Sequence, residues 1–177
     1  MSVAYVDGLI DEVRAEATRL QTHLMRELEA INRDTSLSEA GKAQQRDQTR
    51  AATKSQMQAL NAKELHLVDE EIARLERQLD AKSGNTSSDL IAFRDAQDRA
   101  DRIADWTEAN RILERALRSD DKSLAHAVFR VAIEKRWRST IELFTTANPA
   151  LAEAANDLGI WKKFREPDFG RALAYSL

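Results

Sequence analysis

The sequence predicts an all-α protein, and its composition and apolar spacing both support this prediction. Charged residues make up 32% of the 177 residues and aromatic residues only 6%, with 5 Gly and 2 Pro. So few breakers among many Ala, Leu, Glu, Arg and Gln residues favour helices over a sheet. Apolar residues recur at spacings of three and four, which is the period of one helix face. We therefore expect a long helical hairpin, coiled-coil-like, followed by a small multi-helix domain.

The hairpin arm is predicted at residues 1–82. No Phe, Trp or Tyr occurs between Tyr5 and Phe93, so this half lacks the large rings of a compact core. The spacing of Ser36–Glu39 is that of a capping box and predicts the start of the second helix, which runs to about Leu79. The apolar residues that form a narrow seam along the two helices are Val6, Ile10, Val13, Leu20, Leu24, Leu65, Val68, Ile72, Leu75 and Leu79.

This seam predicts self-association, most simply a homodimer or another homo-oligomer. Helices of this length expose a stripe that a small globule cannot cover completely. The alternative is a monomeric hairpin in which the two seams cover each other.

The second half is predicted to be a linker and a helical domain. Small polar residues at 83–88 are typical of a linker, and the domain follows at 89–158. Neither Gly nor Pro occurs at 89–118 or 121–147, so each of these stretches is expected to be one long helix. A short third helix is expected at 149–158.

Residues 159–177 are predicted to be a C-terminal tail, because Gly159, Pro167 and Gly170 discourage a continuous helix. The tail carries four basic and two acidic side chains, a net charge of +2. A basic, aromatic segment could dock on an acidic, apolar groove of a partner. Alternatively, its rings fold back on their own domain. The predicted docking residues are Trp161, Lys162, Lys163, Phe164, Arg165, Phe169 and Tyr175.

The sequence contains no recognisable catalytic, cofactor-binding or metal-binding motif, so we do not expect an enzyme. Cys is absent, and His23, His66 and His126 stand alone without the spacing of a zinc or di-iron helix. Each His is expected at the surface or at a boundary. The glycine patterns of phosphate loops, dinucleotide folds and nucleophile elbows do not occur.

Charge and hydropathy narrow the possible partners and location. The 30 acidic and 27 basic side chains give a net charge of -3, so nucleic acid is not predicted as the main partner. The best candidate for such binding is the basic helix face Lys135–Arg138, which could also belong to a regulatory binding module. No stretch is apolar enough for a membrane span. Because Asp7, Asp11 and Glu12 interrupt the N-terminus, we expect no signal peptide and a cytoplasmic location.

Leu37–Lys42 and Arg111–Leu117 resemble helical proteins encoded among the virion-structure genes of actinobacterial phages and prophages. The resemblance extends over most of the chain but includes no diagnostic motif, so it transfers no functional residue. It implies a non-enzymatic structural or assembly protein, scaffold-like or virion-associated. A capsid or other virion protein would be the partner, and the host cytoplasm or the virion would be the location.

Overall fold

The computed structural model describes residues 3–80 and 87–177, and within these ranges it confirms the all-α fold. The helices are α1 (Val3–Arg33), α2 (Glu39–Asp80), α3 (Ser87–Asp101), α4 (Trp106–Arg118), α5 (Lys122–Lys135), α6 (Arg138–Ala147), a 3-10 turn (Pro149–Leu151), α7 (Ala152–Arg165) and α8 (Phe169–Ala174). None of the described helices combines the length and the apolar composition that a membrane span requires.

The chain divides into two compact units that differ from the predicted domains. Unit 1 comprises Met1–Glu71 and Phe164–Leu177, and unit 2 comprises Ile72–Lys163. The boundaries therefore lie within α2 and within α7. Residues 83–86 of the predicted linker lie outside the described residues, and α3 already begins at Ser87.

The turn between α1 and α2 is closed by side chains. Asp34 accepts hydrogen bonds from the Ser36 backbone N–H at 2.8 Å and from the Ser36 hydroxyl at 2.6 Å. These bonds to Ser36 lower the pKa of the Asp34 carboxyl. The Ser38 hydroxyl accepts from the Gly41 N–H at 3.2 Å, the geometry of an N-cap. The predicted capping box thus begins two residues too early, because Ser36 serves the turn and Ser38 begins the helix.

The predicted oligomer seam is largely covered within one chain. In unit 1, the hairpin core is formed by Val13, Ala17, Met57 and Leu60, with Leu20, Leu67 and Tyr175 packed against it. Seven seam residues are at most 6% exposed, namely Val6, Ile10, Val13, Leu24, Val68, Leu75 and Leu79. The other three, Leu20, Leu65 and Ile72, are half-buried. In the hairpin core, α1 and α2 cover each other as the alternative predicts, whereas Leu75 and Leu79 belong to unit 2, where Leu79 lines a cavity with residues of α5 and α7. Burial within one chain removes the reason for predicting a dimer through the buried seam residues.

The C-terminal residues fold onto unit 1 through α8, which packs on α1. Gln21 donates a hydrogen bond from its amide to the carbonyl of Ser176 at 2.8 Å. Arg171 is 8% exposed and donates from its guanidinium to the carbonyls of Phe164 and Glu166. A cation at this point satisfies carbonyls that the end of α7 leaves without helical partners.

The predicted helix end at Gly159 is wrong, because α7 continues to Arg165. A glycine inside a helix costs about 1 kcal/mol relative to alanine but does not interrupt the hydrogen bonds. The predicted tail boundary at residue 159 therefore falls in the middle of a helix.

Unit 2 is built around α5, which packs against α3, α4 and α6. Phe129 of α5 stacks on Phe144 of α6 with ring centroids 4.1 Å apart, and each ring is 1% exposed. Trp161 of α7 is also 1% exposed. Large rings bury much apolar area per residue, which explains how a unit of this size forms a core.

Both long helices predicted for this unit are interrupted. Between α3 and α4, Asp105 accepts hydrogen bonds from the backbone N–H groups of Thr107 and Glu108 and caps α4. Between α5 and α6, Arg136 adopts the left-handed conformation with φ 58°. The two interruptions contain a side-chain cap and a left-handed residue but neither Gly nor Pro. A prediction based on Gly and Pro therefore could not locate them.

Candidate functional site

A groove of about 520 Å³ opens on unit 2 where the end of α5, the start of α6 and one face of α7 meet. Its apolar lining consists of Ile133, Ile141, Ala152, Ala155, Gly159 and Ile160. Its charged lining consists of Arg136, Arg138, Lys162, Lys163 and Glu142. Thr145 and Asn156 complete the lining. We name this surface the basic groove.

Arg136 enters the basic groove from a strained backbone position. The Trp137 N–H donates to the Ala132 carbonyl at 2.9 Å, so the chain turns back over the end of α5. Glycine usually occupies the left-handed position of such a turn, because a side chain there costs roughly 1–2 kcal/mol. Strain of this kind is characteristic of functional positions. Arg136 therefore holds a position usually taken by glycine, and its side chain lines the groove.

Arg138 is also placed against a local preference. It is the first residue of α6, where the helix dipole disfavours a cation, and the first turn of α6 contains no acidic residue. Within the described parts of the chain, the side chains of Arg138 and Lys163 form neither a hydrogen bond nor an ion pair, and both residues are exposed. Both charges are therefore available to a ligand.

The remaining cations of the groove are partly engaged. Lys162 donates from its Nζ to Glu76 Oε1 at 2.9 Å, with both side chains about one-third exposed. Even so, four cations and one carboxylate line the basic groove. Charges that line a concave surface raise the local concentration of ligands of the opposite sign. The groove therefore favours a ligand that carries acidic groups beside an apolar face.

The predicted docking residues do not form one surface. Trp161 lies in the core of unit 2, so its assignment to docking was wrong, whereas Lys162 and Lys163 line the basic groove. Phe169 remains 82% exposed. Sequence proximity grouped these side chains, but helical geometry points Trp161 inward and its neighbours outward.

The other docking residues interact within unit 1. Phe164 is half-buried, with the Arg14 and Arg171 guanidinium groups 5.5 and 5.8 Å from its ring centroid. Arg165 forms an ion pair with Asp69 at 2.5 Å. Tyr175 packs on the hairpin core. For Phe164 and Tyr175, the alternative that the rings fold back on their own unit is therefore correct.

The predicted basic face Lys135–Arg138 is split by the turn at Arg136. Lys135 donates from Nζ to the Ile103 carbonyl at 3.0 Å and lies 5.0 Å from the Trp137 ring centroid. Lys135 thus stabilises unit 2, while Arg136 and Arg138 line the basic groove. The sequence identified two of the four groove cations here but not the surface that they share with α7.

The histidines give no sign of a metal site. His126 is 8% exposed and packs edge-on against Phe144 at 5.2 Å, so it is buried and the prediction that it lies at the surface or at a boundary was wrong. His23 and His66 are exposed, each beside a glutamate one helical turn away. In the described parts of the chain, no group of three His, Asp or Glu residues could hold a metal ion.

A buried polar cluster in unit 1 was not predicted. Glu64 is 0% exposed and accepts hydrogen bonds from Arg14 Nε and Nη2, both at 2.9 Å. The Tyr175 hydroxyl donates to Glu64 Oε2 at 2.6 Å. The carboxylate is thus fully paired, as burial of a charge requires. A role in holding the C-terminal residues on the hairpin is sufficient to explain the cluster.

This cluster predicts a dependence of stability on alkaline pH. Burial, the hydrogen bond to Glu64 and the Glu64 charge raise the pKa of Tyr175 well above its usual range. A raised folded-state pKa stabilises the fold below the unfolded-state pKa of about 10, and this contribution is lost as the pH rises further. We expect the difference in unfolding free energy between the wild type and Tyr175→Phe to shrink between about pH 9 and about pH 11. Urea titrations measure it, and a constant difference would contradict the proposed cause.

Comparison of the chain with protein-family models, with curated proteins and with solved structures finds no match.

Proposed function

We propose that this protein is a non-enzymatic assembly protein whose basic groove binds an acidic amphipathic helix of a partner protein. The observation that carries this proposal is the lining of the groove, in which isoleucines and small residues lie beside four cations and one carboxylate. An amphipathic helix buries its apolar side chains in such a groove. Acidic residues along its edges would pair with Arg138 and Lys163.

A protein helix fits this lining better than nucleic acid does. Nucleic-acid surfaces obtain most of their affinity from many phosphate contacts. Here the cations are few, Glu142 would repel phosphate, and Ile160 presents a 48% exposed apolar side chain. A lining that combines apolar and charged side chains is typical of surfaces that bind proteins. Binding of nucleic acid through the same residues is therefore the less favoured function.

The proposed role agrees with the resemblance to phage structural proteins but changes the interaction surface. The homo-oligomer prediction depended on the apolar seam of α1 and α2, most of which is buried. We therefore propose the basic groove as the surface through which the protein joins an assembly.

The proposal can be tested with a designed peptide of about five helical turns. The peptide carries leucines along one face and glutamates on both sides of that face. We expect saturable binding by fluorescence anisotropy, and we expect Arg138→Glu and Ile160→Ser to weaken it by about tenfold each, or about 1.4 kcal/mol. Both side chains are exposed or half-exposed, so these variants should keep the fold.

Lys122→Glu is the matched control, because Lys122 begins α5 as Arg138 begins α6. It makes the same charge change outside the groove and should leave the affinity unchanged. A peptide with lysines in place of the glutamates should not bind. Equal binding of the two peptides would contradict the proposal, as would a dimer in solution that Arg138→Glu dissociates, because the occupant would then be a second copy.

A further inference from the structure

Unit 2 also has a cavity of about 340 Å³, formed where the end of α3, the outer face of α4 and the start of α5 meet. Its lining consists of Arg99, Arg102, Arg111, Ile112, Arg115 and Leu124. In the lining that the structure describes, every charged side chain is an arginine. We name this cavity the arginine pocket.

The arginines reach the pocket as two pairs. Arg111 and Arg115 are four residues apart on α4 and therefore share one helix face. Arg99 lies in the last turn of α3, and Arg102 follows the end of that helix. Four arginines on one cavity lining make this surface positively charged, and charge on a concave surface attracts ligands of the opposite sign.

The guanidinium groups are largely free of intramolecular partners. Among the described residues, the side chains of Arg102, Arg111 and Arg115 form neither hydrogen bonds nor ion pairs, and all four arginines are exposed. Arg99 has one distant ion pair, with Nη1 3.7 Å from Asp95 Oδ2. Arg14 in unit 1 shows the contrast, since it forms two hydrogen bonds with a single carboxylate. The pocket thus offers several planar donor groups to a ligand.

Favourable placement at helix ends does not account for the cluster. Arg99 and Arg115 lie in the last turns of their helices, where the helix dipole stabilises a cation. Arg111 lies in the middle of α4 and Arg102 lies outside a helix. Neither gains from the dipole, yet both line the same cavity.

We propose that the arginine pocket binds the polyphosphate group of a small molecule. Arginine donates in a planar fork that matches two phosphate oxygens at once, and several arginines together suit a ligand with several negative charges. A cavity of this size lies within the usual range of small-molecule sites. Ile112 and Leu124 supply apolar contact beside the charges. This site is separate from the basic groove and does not depend on the function proposed for it.

The test measures binding of inorganic triphosphate to the full chain by isothermal titration calorimetry at low salt. We expect one site, with an affinity that falls as salt is added because the contacts are ionic. The double variant Arg111→Gln/Arg115→Gln should lose at least about tenfold in affinity, and Arg102→Gln should lose affinity without altering a helix. Arg118→Gln, on α4 but outside the pocket, is the matched control and should bind as the wild type does.

A nucleoside triphosphate forms the second arm of the experiment. If the nucleoside triphosphate binds with the same affinity as inorganic triphosphate, the site recognises the phosphate groups alone. If it binds more tightly, the apolar lining contacts the nucleoside. The proposal is overturned if neither compound binds at millimolar concentration, or if Arg118→Gln loses as much affinity as the double variant. It is also overturned if duplex DNA binds more tightly through the same arginines, because the ligand would then be a nucleic-acid backbone.

Discussion

Replacement of Trp161 by alanine is expected to lower the free energy of unfolding by about 3–5 kcal/mol, the usual cost of truncating a large buried ring. Trp161 is 1% exposed although it stands between the exposed Ile160 and two lysines. Its removal deletes apolar contacts and leaves a cavity that its neighbours cannot fill. Urea denaturation followed by circular dichroism measures the change.

Phe169→Ala is the matched control, because this ring is 82% exposed and should change stability by less than about 0.5 kcal/mol. Both variants lose an aromatic ring, so a difference in their unfolding free energies reports on burial of the ring. Similar losses in the two variants would show that Trp161 does not occupy the core.

Replacement of Arg14 by methionine is expected to lower the free energy of unfolding by about 2–3 kcal/mol. Loss of one partner from a buried ion pair typically costs 3–5 kcal/mol, because the other charge remains buried without compensation. The Arg14 side chain is 37% exposed and that of Glu64 is 0% exposed, so water would replace part of the lost interaction. Methionine keeps most of the apolar length of arginine, so the loss reports mainly on the charge.

Arg165→Met provides the comparison within the same unit. Its ion pair with Asp69 has side chains 43% and 49% exposed, and exposed pairs contribute at most about 1 kcal/mol. Equal effects in the two variants would contradict the assignment of Glu64 as a buried carboxylate that depends on Arg14.

Helix content and the hairpin could be predicted from the sequence because both follow from local rules. Apolar spacing located the seam of α1 and α2, and most of its residues are buried. The interruptions at Asp105 and Arg136 were missed because the prediction looked for Gly and Pro. The helices are instead interrupted by an aspartate cap and by an arginine in the left-handed conformation. At Gly159 the error is the reverse, because a helix end was predicted where α7 continues. The helical residues on both sides of Gly159 outweigh its low helix propensity.

The candidate sites could be predicted only in part, because each depends on helices that are distant in the sequence. Arg136, Arg138, Lys162 and Lys163 were noted as two separate basic runs, and only tertiary packing joins them in one groove. In the arginine pocket, the four-residue spacing of Arg111 and Arg115 is visible in the sequence. Their approach to Arg99 and Arg102 depends on the packing of α3, α4 and α5 and has no periodic signal.

The division of the chain also has a consequence for the order in which its parts can fold during synthesis. Unit 2 is continuous in sequence, so all of its residues have been synthesised once the ribosome has passed Lys163. Unit 1 is discontinuous, and Glu64 obtains the Tyr175 hydroxyl from a residue 111 positions later. A nascent chain therefore carries Glu64 and Arg14 without their last partner while unit 2 is being made. Unit 1 is begun first and completed last, and the contact that completes it closes a long loop, which is the slow kind of step in folding.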